Sequence, residues 1–445
     1  MSDDLMVCHG FLLETEFASI RLVSFTLRKG TIIQLFGLSD SGLDDVFYSL
    51  SGLLPVYRAS RPAPDGHVKR LNAVVPDSLS KGLDFCGRPL YDMTPSERAS
   101  QIGCIYEDPG LAIVGETVLE DFRYSFAAIG KDSPNPQVLM RYGLYKKLDR
   151  SVDILSGGER QRLNCASALE IEPKLIVANF TNANLDHEFM VDIKRWLVDL
   201  ARSGTGVIVC GLRPNDIQSM QFSLKDGVFA PAAPDPSLFP SCDAERESLA
   251  ALLTGRSHTS RSVLSVDTIR RPQITEPVSF ELYEHEVLFI HGPNGVGKTT
   301  LGKILTGQVS RRDYAGNFVP HDGLSPVRSH QYPERTFIRS TVRKEAGAWI
   351  DLLPLIGLCE PEFNVHPRCL SRAKQKLLSI LITLAASKGY AILDEPTCGL
   401  DFPSKRTFVN LVNHFSDLAI LVFTHDEALL NINNVAGVRY QAMGG

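Results

Sequence analysis

Gly292–Thr300 reads GPNGVGKTT and fits G-x-x-x-x-G-K-[ST]. The run before it, Val287-Leu-Phe-Ile-His291, is apolar enough for a buried strand, and Leu301-Gly-Lys-Ile-Leu305 after it can open a helix. Strand, glycine loop and helix in that order are the context that gives the pattern its chemistry. Glycines let backbone N–H groups close around phosphate oxygens, and a helix start adds a field that favours anions. Lys298 is then placed on β- and γ-phosphates and the Thr299 hydroxyl on Mg²⁺. Gly292, Pro293, Asn294, Gly295, Val296, Gly297 and Thr300 complete the set of phosphate-binding candidates.

The stretch leading into this loop has a faded copy earlier in the chain. Val278–Gly292 reads VSFELYEHEVLFIHG, and Val23–Gly37 reads VSFTLRKGTIIQLFG. In register, GLSDSGLDD (Gly37–Asp45) lies opposite GPNGVGKTT. The parallel continues: Glu107-Asp-Pro leads to Thr117-Val118, as Gln331-Tyr-Pro-Glu334 leads to Thr341-Val342. LSGGERQR from Leu155 lies opposite LSRAKQKL from Leu370, and strands are expected at 174–178 and 389–393. Repetition on this scale reads as a duplicated domain. A stretch rich in Pro, Arg and Ser at 53–81 has no equivalent length in the second half and reads as a surface insertion. Thr94-Pro-Ser-Glu97 reads as a capping box opening a short helix.

Size and composition agree with two domains. The chain has 445 residues, 44% hydrophobic and 22% charged, with a net charge of −5, which gives a nucleic-acid partner no support from bulk charge. The nine cysteines form no C-x-x-C pair and read as reduced or buried thiols. No apolar run approaches the ~20 residues that span a bilayer. A role at a membrane would need a partner to supply the spanning helices.

LSGGERQR, LDEPTCGLD (Leu393–Asp401) and GPNGVGKTT together resemble the nucleotide-binding domains of ABC-type ATPases, and the likeness covers both halves. It implies an α/β protein of two tandem P-loop NTPase domains, each a mixed sheet core with a helical subdomain, packed head to tail. The first domain is expected at 1–229, a Pro/Ala-rich linker with a short helix at 230–262, and the second domain at 263–445. It also implies an ATP site shared between domains. One domain gives the loop, the Walker B strand end, a Gln and a His, and the other gives the LSGGE signature. By that resemblance Glu395 is the general base or polariser of the attacking water, Lys298 stabilises charge, and His425 senses the γ-phosphate. Thr299, Gln331 and, through water, Asp394 hold Mg²⁺. Ser156, Gly157, Gly158 and Glu159 supply the signature, whose helix start would face the γ-phosphate. Asp401 would carry an interdomain contact or simply cap a helix. The aromatic residue that the family usually stacks on adenine is missing from 265–277, where Arg270 or Arg271 is the substitute on offer.

The losses follow composite sites rather than domains. In the first half Leu43 and Asp44 stand at the Lys and Thr positions, Asn179 and Phe180 at Asp and Glu, Glu107 at Gln and Leu212 at His. The second half keeps all of these but has Ser371-Arg-Ala-Lys374 where the first keeps Ser156-Gly-Gly-Glu159. One expected site is therefore intact in every part and the other is broken in every part. Leu43 removes an attraction to triphosphate, and Asp44 and Asp45 add repulsion. One unit-charge pair at ~5 Å amounts to roughly 3 kcal/mol at an effective dielectric of ~20, so several such terms weaken MgATP binding by orders of magnitude.

The segment Gln331-Tyr-Pro-Glu…Phe337…Thr341-Val342 is similar to that of energy-coupling-factor transporter ATPases. That resemblance implies an ATP- and Mg²⁺-dependent motor on the cytoplasmic face of a membrane, peripheral to integral membrane transport subunits, with no nucleic-acid partner. Docking is expected beside Gln331–Phe337 and Glu107–Val114. The alternative is a soluble ABC ATPase acting on ribosomes or nucleic acid.

Overall fold

Val287–His291 and Ile32–Phe36 are apolar but for His291 and the buried Gln34, and both lie between parallel neighbours in their sheets. Strands covered on both faces need this pattern rather than polar–apolar alternation. The computed structural model describes the chain except residues 1–2, 15–18, 40, 55–80, 181–186, 212–218, 226, 234, 254, 257–258, 293–294, 322–325, 331–332, 334–335, 431–434 and 444–445. The insertion expected at 53–81 therefore falls almost wholly outside the described residues. The chain divides into two units between Asp235 and Pro236.

In the first unit five parallel strands run in the order Ile102–Ile105, Leu175–Asn179, Gly206–Gly211, Ile32–Phe36, Met220–Lys225. Val228–Pro231, Ser19–Leu22 and Phe11–Glu14 extend the sheet beyond Met220–Lys225 with two antiparallel pairings, which makes it mixed. A second, antiparallel sheet is built from Phe25–Arg28, Asp4–Cys8, Leu83–Phe85 and Arg88–Pro89. The helices Val118–Ala127 and Gly157–Leu169 pack into a core with Trp196, Tyr142 and Ile105. Thr94 accepts from the backbone of Glu97, whose carboxylate accepts from the backbone of Thr94, so the capping box forms.

The second unit repeats the arrangement. Its parallel strands run Val327–Arg328, Tyr390–Asp394, Ala419–Thr424, Val287–His291, Val438–Ala442. Ile274–Tyr283, Ser262–Arg271 and Ala315–Pro320 form an antiparallel sheet. In both units the strand that feeds the glycine loop is fourth of five, so the loop emerges at the carboxyl edge, where open α/β sheets bind ligands. The helix Cys242–Leu252, within the stretch read as linker, packs as part of the second unit. Leu249 joins its core, and Glu245 pairs with Lys405 at 3.0 Å.

Candidate functional site

The loop after Val287–His291 bends through Gly295 at φ 85° and Gly297 at φ 106° before the helix Lys298–Leu305 begins. A side chain on Gly297 would meet the Gln273 carbonyl 2.5 Å away, so both conformation and space call for glycine. Lys298 is buried, and its ammonium donates to the Gly292 carbonyl at 2.6 Å. The loop thus folds around its own lysine. Pro293 and Asn294 lie outside the described residues, as does Gln331. The roles expected of them stay sequence-based.

Four chemically distinct groups converge on the end of the Tyr390–Asp394 strand. Thr299 Oγ1 donates to Asp394 Oδ1 at 3.2 Å. Lys298 Nζ lies 3.5 Å from Glu395 Oε1, and His425 Nδ1 lies 2.9 Å from the same oxygen. The His425 backbone N–H donates to Glu395 Oε2 at 3.3 Å. Burial alone would raise the Glu395 pKa, but His425, Lys298 and Lys376 together hold it below the ordinary carboxylate value. Burial prevails at Asp394, whose pKa is raised despite Arg328 and Thr299 beside it. Glu395 also has φ 47°, a left-handed conformation costing an L-residue on the order of 1–2 kcal/mol. Its backbone N–H is fixed to the Phe423 carbonyl at 2.9 Å, which holds the carboxylate at the strand end. Oxygen donors from Thr299 and Asp394 facing each other suit a hard cation such as Mg²⁺.

Arg328 is the residue at this site that sequence reasoning missed. Its guanidinium lies 3.3 Å from Asp394 Oδ2 and 3.3 Å from Gln308 Oε1. The only signal was one arginine in a short strand just before His330 and Gln331.

The signature residues lie on the first unit. Ser156 caps the helix Gly157–Leu169: its hydroxyl accepts from the Glu159 N–H, and Glu159 accepts from the Ser156 N–H at 2.8 Å. Lys147 pairs with Glu159, and although burial opposes it, that contact helps hold the carboxyl below its usual range. Gly157 is exposed, and nothing lies within 4 Å of where a Gly158 side chain would begin. The cap uses the Ser156 oxygen as acceptor.

The first unit's own loop keeps the bend and loses the chemistry. Gly42 stands at φ 77° where the second unit has Gly297. Leu43, at the lysine position, is sealed in the core. Asn179 Nδ2 donates to Asp44 Oδ1 at 2.8 Å, so the Thr–Asp contact survives with donor and acceptor exchanged. The Phe180 N–H donates to the Cys210 carbonyl at 2.9 Å, the backbone bond that Glu395 makes, but no base follows it. Leu212 lies outside the described residues. In the second unit's signature, Ser371 still caps the helix Arg372–Ala386, while Lys374 pairs with Glu362 at 2.7 Å. This is the Lys147–Glu159 pair with its charges reversed at matching positions.

Other expectations land as follows. Asp401 caps the helix Phe402–His414, accepting from the Ser404 N–H at 2.9 Å. Arg270 is exposed at the end of Ser262–Arg271, on the sheet whose next turn carries Gln273 against Gly297. Phe337, read from the sequence as a docking residue, is core instead, packed with Val342 and Leu353, and its neighbour Ile338 is the exposed one. No helix among the described residues is long and apolar enough to cross a membrane.

A glycine loop, a buried lysine and an acidic strand end define a P-loop nucleotide-binding unit. Residues 275–398 match the family described as ABC transporter. The chain is similar over 95% of its length, at 21% identity and covering 92% of the relative, to a "Putative ABC transporter ATP-binding protein" of Treponema denticola. It is 24% identical over 92% of its length to the "Putative HMP/thiamine import ATP-binding protein YkoD" of Bacillus subtilis, of which it covers 84%. Its fold resembles a solved chain described as "Model of ribosome-bound archaeal Pelota and ABCE1", with TM-score 0.60, 18% identity, and coverage of 98% of this chain and 77% of that one. Residues 275–398 thus carry a domain of the ABC transporter family, and over most of its length the chain is similar to ABC transporter ATP-binding proteins.

Proposed function

We propose that the chain is the ATP-hydrolysing motor subunit of a membrane transporter of the energy-coupling-factor type, with one site that turns over ATP and one that does not. The observation that carries this reading is the convergence of Lys298, Thr299, Asp394, Glu395 and His425 in one unit, against Leu43, Asp44, Asn179 and Phe180 at the same positions of the other. Ser156, Gly157, Gly158 and Glu159 are the signature set kept in the first unit, where the second unit has Ser371-Arg-Ala-Lys374.

The chemistry follows from the geometry. Lys298 and His425 both contact Glu395. A triphosphate offers Lys298 a stronger partner, and the exchange leaves Glu395 to orient and deprotonate a water. The water oxygen bonds to the γ-phosphorus, the bond to the β–γ bridging oxygen breaks, and ADP leaves with that oxygen. Thr299 and Asp394, with Gln331 by the sequence resemblance, would hold Mg²⁺, which would supply charge neutralisation on the phosphates.

Attachment to integral membrane subunits is supported by a matched pair of loops. The Val114 and Gly115 N–H groups donate to Asp121 Oδ1 at 2.7 and 3.0 Å. At the equivalent place Ile338 and Arg339 N–H groups donate to Glu345 Oε2 at 3.1 and 2.6 Å. Each carboxylate pins a loop that presents an apolar side chain to solvent: Val114 is 64% exposed and Ile338 is 87% exposed. These loops support a peripheral seat on the cytoplasmic membrane face as part of the proposal, and the import role in the name of the Bacillus relative points the same way. The likeness to a ribosome-bound chain favours a second reading, an ATPase acting on ribosomes. Affinity purification from detergent-solubilised membranes decides between them. Integral membrane subunits should co-purify with the wild type and be lost from Val114→Glu with Ile338→Glu. Co-sedimentation with ribosomes and no membrane partner would support the second reading.

A further inference from the structure

We infer that Arg328 is a positioning residue that serves as the resident cation of the Walker B carboxylate and so sets how strongly nucleotide binding depends on a divalent ion. The inference rests on the reading that Gly292–Thr300 binds MgATP.

The arginine is built in rather than incidental. Its side chain is 3% exposed, that of Asp394 is 1% exposed, and the two are 3.3 Å apart. The other arm of the guanidinium reaches Gln308 Oε1 at 3.3 Å, and Nη1 lies 3.5 Å from the Thr299 carbonyl. It therefore touches the helix after the loop and the strand end together. Space for it comes from Gly302: a Cβ there would sit 3.3 Å from Arg328 Cδ and 3.4 Å from Nη1. The first unit shows the alternative construction. Cys104 pairs with Val177, two residues before Asn179, just as Arg328 pairs with Ile392, two residues before Asp394. Phe47 stands three residues after Asp44, as Gly302 stands three after Thr299, and it is fully buried. Glycine with arginine in one unit is matched by phenylalanine with cysteine in the other. The arginine stands in the unit whose strand end carries the carboxylate, and the cysteine in the unit whose strand end carries an amide.

The consequence is electrostatic. Two adjacent carboxylates, Asp394 and Glu395, repel a triphosphate that arrives without metal. A buried guanidinium on Asp394 cancels one of those charges, and removing it would leave the buried carboxylate with the Thr299 hydroxyl but without its ion-pair partner. Taking that charge as ~8 Å from the phosphates at an effective dielectric of ~20, its loss should weaken metal-free ATP about thirtyfold. MgATP brings its own cation, so its affinity should move far less.

The test is equilibrium titration of the full chain with ATP in EDTA and with ATP in excess Mg²⁺, on the wild type, Arg328→Met and Arg328→Lys, with thermal melts to establish folding. The ratio of the two dissociation constants should rise at least ~10-fold in Arg328→Met and stay within ~3-fold of wild type in Arg328→Lys. If Arg328→Met does not fold, Arg328→Cys with Gly302→Phe copies the first unit's packing and should show the same rise. An unchanged ratio in a folded charge-removing variant would overturn the inference. Failure of the wild type to bind MgATP would overturn the ATP-site reading instead.

Discussion

The two units solve one packing problem with opposite chemistry. Both bend a loop through a left-handed glycine, Gly42 and Gly297, and both tie the following helix to the end of the strand two places along the sheet. In the second unit the tie is Thr299 to Asp394, a hydroxyl on a carboxylate, with Glu395, Lys298 and His425 gathered beside it. In the first unit it is Asn179 to Asp44, with the carboxylate moved from the strand to the helix and the amide satisfying it in place. The contact at the helix start shows the same reversal, Lys147–Glu159 against Glu362–Lys374. Both arrangements keep the polar atoms paired. A buried unpaired group costs about 1–3 kcal/mol, so exchanging donor for acceptor keeps the tie where deleting one partner would not.

The largest effect should come from removing the base. Glu395→Gln should lower ATP turnover by at least ~10²-fold, since general base catalysis contributes about that much or more, while ATP stays bound. Phosphate release assays check it, and substantial turnover in that variant would mean that a group elsewhere does the work, although Phe180 offers none. Next is the signature. Gly157→Asp adds a carboxylate at an exposed helix start where an anion is expected. It should cut turnover at least ~10-fold by repelling an anion at that helix start and leave ATP affinity within a factor of a few. Loss of binding and of cooperative melting together would indicate misfolding instead.

A smaller effect should show that the first unit's polar tie is structural. Asn179→Asp would set two carboxylates where the amide now donates at 2.8 Å. Like charges sharing a site keep a proton that the unfolded chain would release. Stability held below the unfolded carboxylate range is then lost as pH rises. The variant should melt near wild type at acidic pH and fall about 1–3 kcal/mol behind at pH 7–8, with no change in turnover. A uniform deficit at every pH would contradict the pairing.

Much of this was legible in the sequence, for identifiable reasons. Glycine spacing, the Lys-Thr pair and apolar strands carry local rules, so the loop, its strand and its helix lie where Val287–Leu305 placed them. The Thr94 cap was legible for the same reason. Side-chain direction was not. Phe337 and Ile338 are adjacent and both apolar, and only the pinning of the loop by Glu345 decides which one faces solvent. Arg328 reads from the sequence as one more surface charge near a loop. Its burial depends on the missing side chain at Gly302, far away in sequence. The exchanged partners Asp44 and Asn179 were visible as losses, but their mutual hydrogen bond needed three dimensions.

The central claim is one working nucleotide site per chain, and direct titration tests it most plainly. Equilibrium binding of MgATP to Glu395→Gln, where turnover no longer depletes the ligand, should give one tight site per chain, and that site should vanish when Lys298→Ala is added. Two sites of similar affinity, or tight binding that survives Lys298→Ala, would place nucleotide in the first unit's loop and contradict the account.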